Sequence, residues 1–220
     1  MLGKLLNKEF RLCLHPTAII MLLLCAMVLI PNYPYSVMYF YMGLGVFFIS
    51  MNARENHDVL YGMILPVPKK ELVTARFAFV IVLELIQLLL VAGCILIHQT
   101  VYPPEAAANA AGMDANLALI GYGFLLFGVF HLIFFPMHYR DVSKVGKPFV
   151  IASILQFLVI IADIVLCAVV PLFRDVLDTR DPEHLGAKEV FTLVCLAFWI
   201  LATMWALRIS QKRFGQLDVR

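Results

Sequence analysis

Charged side chains are scarce in this 220-residue chain: Asp, Glu, Lys and Arg make up 15% of it, where soluble domains carry about 25%. The deficit excludes an ordinary soluble domain, because 62% of the residues are hydrophobic and so much apolar surface must face lipid. Net charge is only +2, which gives no electrostatic footprint for a nucleic-acid partner. The five cysteines are scattered through apolar runs without a C-x-x-C pair, so neither a disulfide framework nor a zinc site is indicated. Catalytic signatures are missing as well. There is no G-x-x-x-x-G-K followed by Ser or Thr, no H-E-x-x-H and no G-x-S-x-G. His131 and His138 stand seven apart, two helical turns from each other, too far to share one metal; they read as packing or interfacial residues, with no metal bound.

What is abundant is long hydrophobic runs. They fall near residues 16–31, 34–51, 72–99, 117–137, 149–173 and 189–207, and each is about the length that crosses a hydrocarbon core some 30 Å thick. The expected fold is therefore an all-α membrane protein of six transmembrane helices in one transmembrane domain. The N-terminal run lacks a small-residue cleavage site after it and reads as a retained first span, not a signal peptide. Charge placement orients the chain. With six spans, 14 of the 17 Lys and Arg residues share one side with both termini, and three lie on the other, where acidic residues outnumber them. By the positive-inside rule both termini are cytoplasmic, in the cell membrane.

Residues 2–13 form an amphipathic pattern at 100° per residue. Gly3, Lys4, Asn7, Lys8 and Arg11 share one arc and Leu2, Leu5, Leu6, Phe10, Leu12 and Cys13 the other, with Glu9 as the misfit. A helix lying in the cytoplasmic interface is expected, turning into the bilayer at His15-Pro16.

Between the second and third runs, Asn52 to Leu65 reads as a short cytoplasmic helix capped by Asn52 and ended by Pro66 and Pro68, ahead of the basic pair Lys69-Lys70. The stretch Leu65-Pro66-Val67-Pro68-Lys69-Lys70-Glu71-Leu72-Val73-Thr74-Ala75-Arg76 resembles the corresponding segment of the ABC-2 type permease family, the membrane subunits of ATP-binding-cassette exporters. It departs from the family pattern at Pro68-Lys69, where Ser or Thr followed by Arg is common. The resemblance implies a permease that binds no cofactor of its own. ATP and Mg would be held by a separate ATPase subunit, and a second permease subunit, identical or related, would complete the transporter. Residues 52–65 would then be the coupling helix. Arg54, Glu55 and Asp58 could hydrogen-bond the ATPase, and Val59, Leu60, Met63 and Ile64 could fill an apolar groove on it. The cargo so implied is amphipathic or hydrophobic: a peptide, drug or lipid-like molecule.

Two carboxylates lie deep in the predicted bilayer, Glu84 about 18 Å along the third span and Asp163 near the middle of the fifth. Each costs on the order of 3 kcal/mol there, so each must face the bundle interior, a partner or a watery cavity. They either line a transport route or are neutralised by neighbours such as Gln87 and Gln156. Gly43, Gly45, Gly121 and Gly128 read as close-packing positions. From residues alone, a non-transporting scaffold or immunity protein and an ion-coupled carrier using Glu84 and Asp163 stay open beside the exporter.

Overall fold

A computed structural model describes residues 2–64, 66–102, 109 and 111–217; these are helix and loop, with no strand among them. The chain begins with α1 (Leu2–Lys8), which widens into a π turn over Glu9–Cys13. At His15-Pro16 the path bends by 88° into α2 (Pro16–Leu23) and its 3-10 continuation Leu24–Leu29. Local chemistry explains the corner. The residue before a proline is driven to extended backbone, and His15 adopts ψ 144 while its Nδ1 accepts the Thr17 amide at the new N-terminus. Ile30, ahead of Pro31, is likewise extended and ends the segment. The expected span at 16–31 is thus a short helix finished by a tighter one.

The π turn corrects the expected wheel. One extra residue per turn rotates everything after it, so Glu9 points inward and is buried, whereas Leu12, assigned to the apolar face, is 69% exposed. Phe10 still packs inward, edge-on to Phe79 at 4.9 Å.

Next come α3 (Val37–Glu55), α4 (Asp58–Ile64), α5 (Lys69–Val101), α6 (Leu117–His138), α7 (Gly146–Val169) and α8 (Leu185–Gly215). Asn52, expected to cap the coupling helix, instead lies inside α3. The break falls at His57, whose φ of 53 is a left-handed conformation that no helix continues through. Leu65 lies outside the described residues, as does most of the surface helix expected at 106–111. Beyond α7, Pro171 again forces its predecessor Val170 extended, and a π turn at Phe173–Leu177 leads into the last loop.

Helices α5, α6, α7 and α8 are long and apolar enough to cross a membrane, and the bent N-terminal pair counts as a fifth if it is one span. The run expected at 34–51 corresponds to α3, which is 19 residues long, interrupts its apolar residues with Tyr39, Tyr41, Gly43 and Gly45, and ends in a polar turn. The chain is therefore a multi-pass membrane protein of four or five such helices by length and composition.

Helix α6 is the centre of the bundle and packs most extensively on α8. Glycines make that approach possible: a Cβ on Gly121 would stand 2.9 Å from the Thr192 Cα, and one on Gly128 would stand 2.7 Å from the Phe198 ring. On the other side, a Cβ on Gly123 would meet the Tyr39 ring of α3 at 2.6 Å.

The bundle has two polar poles. One gathers α1, α4, the start of α5, the α6–α7 loop and the end of α8: Arg54 donates to the Ser143 carbonyl, Lys69 to that of Leu217 and Arg213 to that of Pro136. The other gathers the end of α5, the start of α6 and the loop before α8.

Candidate functional site

The first pole is organised by Asp58 at the start of α4. Its carboxylate lies 2.5 Å from Lys8 Nζ of α1 and 2.8 Å from Arg76 Nη2 of α5. Arg76 Nε in turn stands 3.0 Å from Glu9, itself 3.6 Å from Lys8. Two cations and two carboxylates, all largely out of water, thus join three separate elements. A low-dielectric setting strengthens each pair, and removal of any member strands its partners. Glu9, Cys13 and Asp58 also bring potential ligand atoms within 4.8 Å of one another. Both carboxylates are already held by Lys8 and Arg76, and two fixed cations at that distance oppose a third positive charge, so the group does not fit a metal.

This arrangement redistributes the expected coupling residues. Asp58 was assigned to an ATPase partner, but its oxygens are committed within the chain. Val59 and Met63 pack against the core, because α4 must bury one side to stay attached, and Gly62 lets Leu72 of α5 come within 3.2 Å of where a Cβ would be. The outward side consists of Leu60, Tyr61 and Ile64, exposed by 42%, 70% and 78%. Arg54 and Glu55 belong to the last turn of α3, exposed and 3.7 Å apart. Tyr61 was missed, although a large aromatic on a short interfacial helix is a usable signal.

The two deep carboxylates are enclosed. Glu84 is 1% exposed: Trp199 Nε1 of α8 donates to one oxygen at 3.2 Å, and His131 Nε2 of α6 lies 2.8 Å from the other, without the alignment of a hydrogen bond. His131 is fixed through Nδ1 by Thr203 at 2.8 Å. Asp163 accepts from Ser36 at 2.9 Å and from the Cys167 thiol at 3.7 Å. Neither acid is satisfied by the glutamines named as neighbours. Gln87 donates to the Met38 carbonyl and Gln156 to that of Leu126, so both stitch helices together by backbone contacts. All four side chains are buried inside one chain.

At the second pole Asn116 caps α6, accepting the Leu119 amide and donating to the Leu177 and Thr179 carbonyls at 2.8 Å each. Asp181 accepts from the Leu117 amide and from Lys188, whose ammonium also reaches the Thr179 carbonyl at 2.6 Å. Arg180 donates to the carbonyls of Gln99 and Tyr102. Residues 174–188 were expected to stay in water; instead they fold onto the helix ends and bury Lys188 completely. A cavity of about 650 Å³ opens beside them, bordered by Tyr35, His98, Asp114 and Glu183.

A family model described as ABC-2 family transporter protein matches residues 4–214. No curated protein and no solved structure matches this chain.

Proposed function

Because the chain belongs to the ABC-2 transporter family, and is thereby a multi-pass permease working with an ABC ATPase, not itself a catalyst, we propose that it is the permease of an exporter in the cell membrane. ATP and Mg are bound by the separate ATPase, which docks on α4. Six spans are proposed, with the bent N-terminal segment and α3 as the first two, both termini cytoplasmic, α1 in the interface, and a second permease subunit completing the route. The cargo is an amphipathic or hydrophobic molecule such as a peptide, drug or lipid.

The observation that carries this reading is the two-sidedness of α4. Its outward side offers Leu60, Tyr61 and Ile64 for docking, each contributing roughly 1.5–3 kcal/mol when covered. Its inner side is fastened through Asp58 to α1 and α5, so a push on α4 is delivered to both. Arg54 and Glu55 flank the docking surface as rim charges. Glu84, Gln87, Gln156 and Asp163 act as internal fastenings across which helices shift during transport.

Co-expression with the cognate ATPase tests the reading. A stable complex and ATP-dependent movement of a substrate in vesicles are expected, and L60S/Y61S/I64S should abolish copurification while leaving the permease folded. Equal recovery of the ATPase with that triple variant would overturn the docking assignment. Transport driven by a proton gradient with no ATPase present would favour an ion-coupled carrier instead.

A further inference from the structure

We propose that the pole where α6 ends and α7 begins holds an anionic phospholipid, its phosphate bound by Arg140, Lys147 and Arg213 and one acyl chain laid along α7. A cavity of about 540 Å³ opens there, bordered by these three cations, Lys144 and the apolar Met137 and Pro148. The single carboxylate in it, Asp141, is already taken by Lys144 at 2.8 Å and by the Ser143 hydroxyl at 2.5 Å. Arg140 and Lys147 have no ion-pair or hydrogen-bond partner among the described residues, and Arg213 uses one nitrogen on the Pro136 carbonyl. The cavity is therefore left with excess positive charge at the end of a membrane helix, a setting suited to a lipid headgroup.

The neighbouring surface identifies the occupant. Pro148 closes the cavity, and the next residue, Phe149, opens an apolar groove of about 410 Å³ between α3 and α7, lined by Phe40, Ile154, Phe157 and Leu158. Lys147, Val150, Ile154 and Leu158 recur at three- and four-residue steps, so cation and track share one helix face. A free phosphate would leave the groove unused. An acidic protein segment would lay unpaired backbone groups on an apolar surface at membrane depth. A two-fold copy of this chain would bring a second set of the same cations to the first. A diacyl phospholipid with an anionic headgroup matches both halves.

The test is native mass spectrometry of the full chain in mild detergent, with added phosphatidylglycerol, phosphatidylcholine or inorganic phosphate. Phosphatidylglycerol should be retained in preference to phosphatidylcholine. R140Q/K147Q should weaken that retention by roughly 25-fold, at about fivefold per surface cation, and I154W/L158W should weaken it with the charges intact. All four positions are exposed, so both variants should fold. Three results overturn the proposal: equal retention of both lipids, no loss with R140Q/K147Q, or full displacement of lipid by inorganic phosphate. A change of oligomeric state in I154W/L158W with lipid retention unchanged assigns the groove to a second copy and equally overturns it. The outcome does not depend on any ATPase, so it is separable from the exporter reading.

Discussion

At the pole holding α4, two cations and two carboxylates join α1, α4 and α5 and leave an apolar face outward. At the opposite pole, Asn116, Arg180, Asp181 and Lys188 spend most of their hydrogen bonds on backbone groups of the chain itself, closing the loop before α8 over the ends of α5 and α6. Side chain paired with side chain can be rearranged as a unit; side chain bonded to backbone fixes a loop in place. The difference marks the first pole as the end that moves with a partner and the second as the end that holds the bundle's shape.

The largest effect is expected from R76M. It strands Glu9 and Asp58, both mostly buried, and should cost about 3–5 kcal/mol in thermal or denaturant unfolding in detergent. Adding E9Q and D58N should recover most of that loss, since the stranded charges go with the cation. If the triple variant is no more stable than R76M, the network is not what holds α4. K188M should cost less, roughly 1–3 kcal/mol, because it leaves one carboxylate and one carbonyl short of a donor and Asp181 keeps some water. If K188M proves the more damaging, the assignment of rigid and movable ends is reversed.

A pH series isolates the second pole. Burial, and then the charges of Asp114 and Asp163, push Asp178 up to about 7 from its ordinary 3.8, against the opposing pull of the Asp114 amide and Lys188. Folding therefore favours the protonated acid. Its penalty is complete above about pH 7 and lifts as the pH falls toward 4, so stability should rise on acidification across that window. D178N should flatten that rise. A slope of the same size in D178N would place its source elsewhere. The smallest stability change, within about 0.5 kcal/mol, is expected from L60S/Y61S/I64S, whose side chains face outward.

Much of this was legible in the sequence. Hydropathy found α5 to α8 to within a few residues at most ends, and the residues from Leu65 to Arg76 carried the family resemblance that the match over residues 4–214 bears out. The glycines expected to allow close packing do so at Gly121 and Gly128. The coupling segment was found but wrongly partitioned, because its break rests on one left-handed residue, His57, that no local pattern announces. Pairs such as Asp58 with Arg76 or Glu84 with His131 escaped for a general reason: periodicity says which face a side chain occupies, not which helix lies opposite. Glu9 was the instructive exception. A charge out of place on an amphipathic wheel signalled both a buried partner and a change of helical pitch.

Helix α5 runs unbroken through 33 residues, about 50 Å. Arg76 sits near one end, the Gln99 carbonyl that receives Arg180 near the other, and Glu84 almost at its midpoint, pinned by α6 and α8. A rod held at its centre behaves as a lever with a fulcrum. A tilt of about 5° about Glu84 would carry each tip roughly 2 Å in opposite directions, so a small stroke at α4 would reach the far side of the membrane as a displacement of equal size and opposite sense.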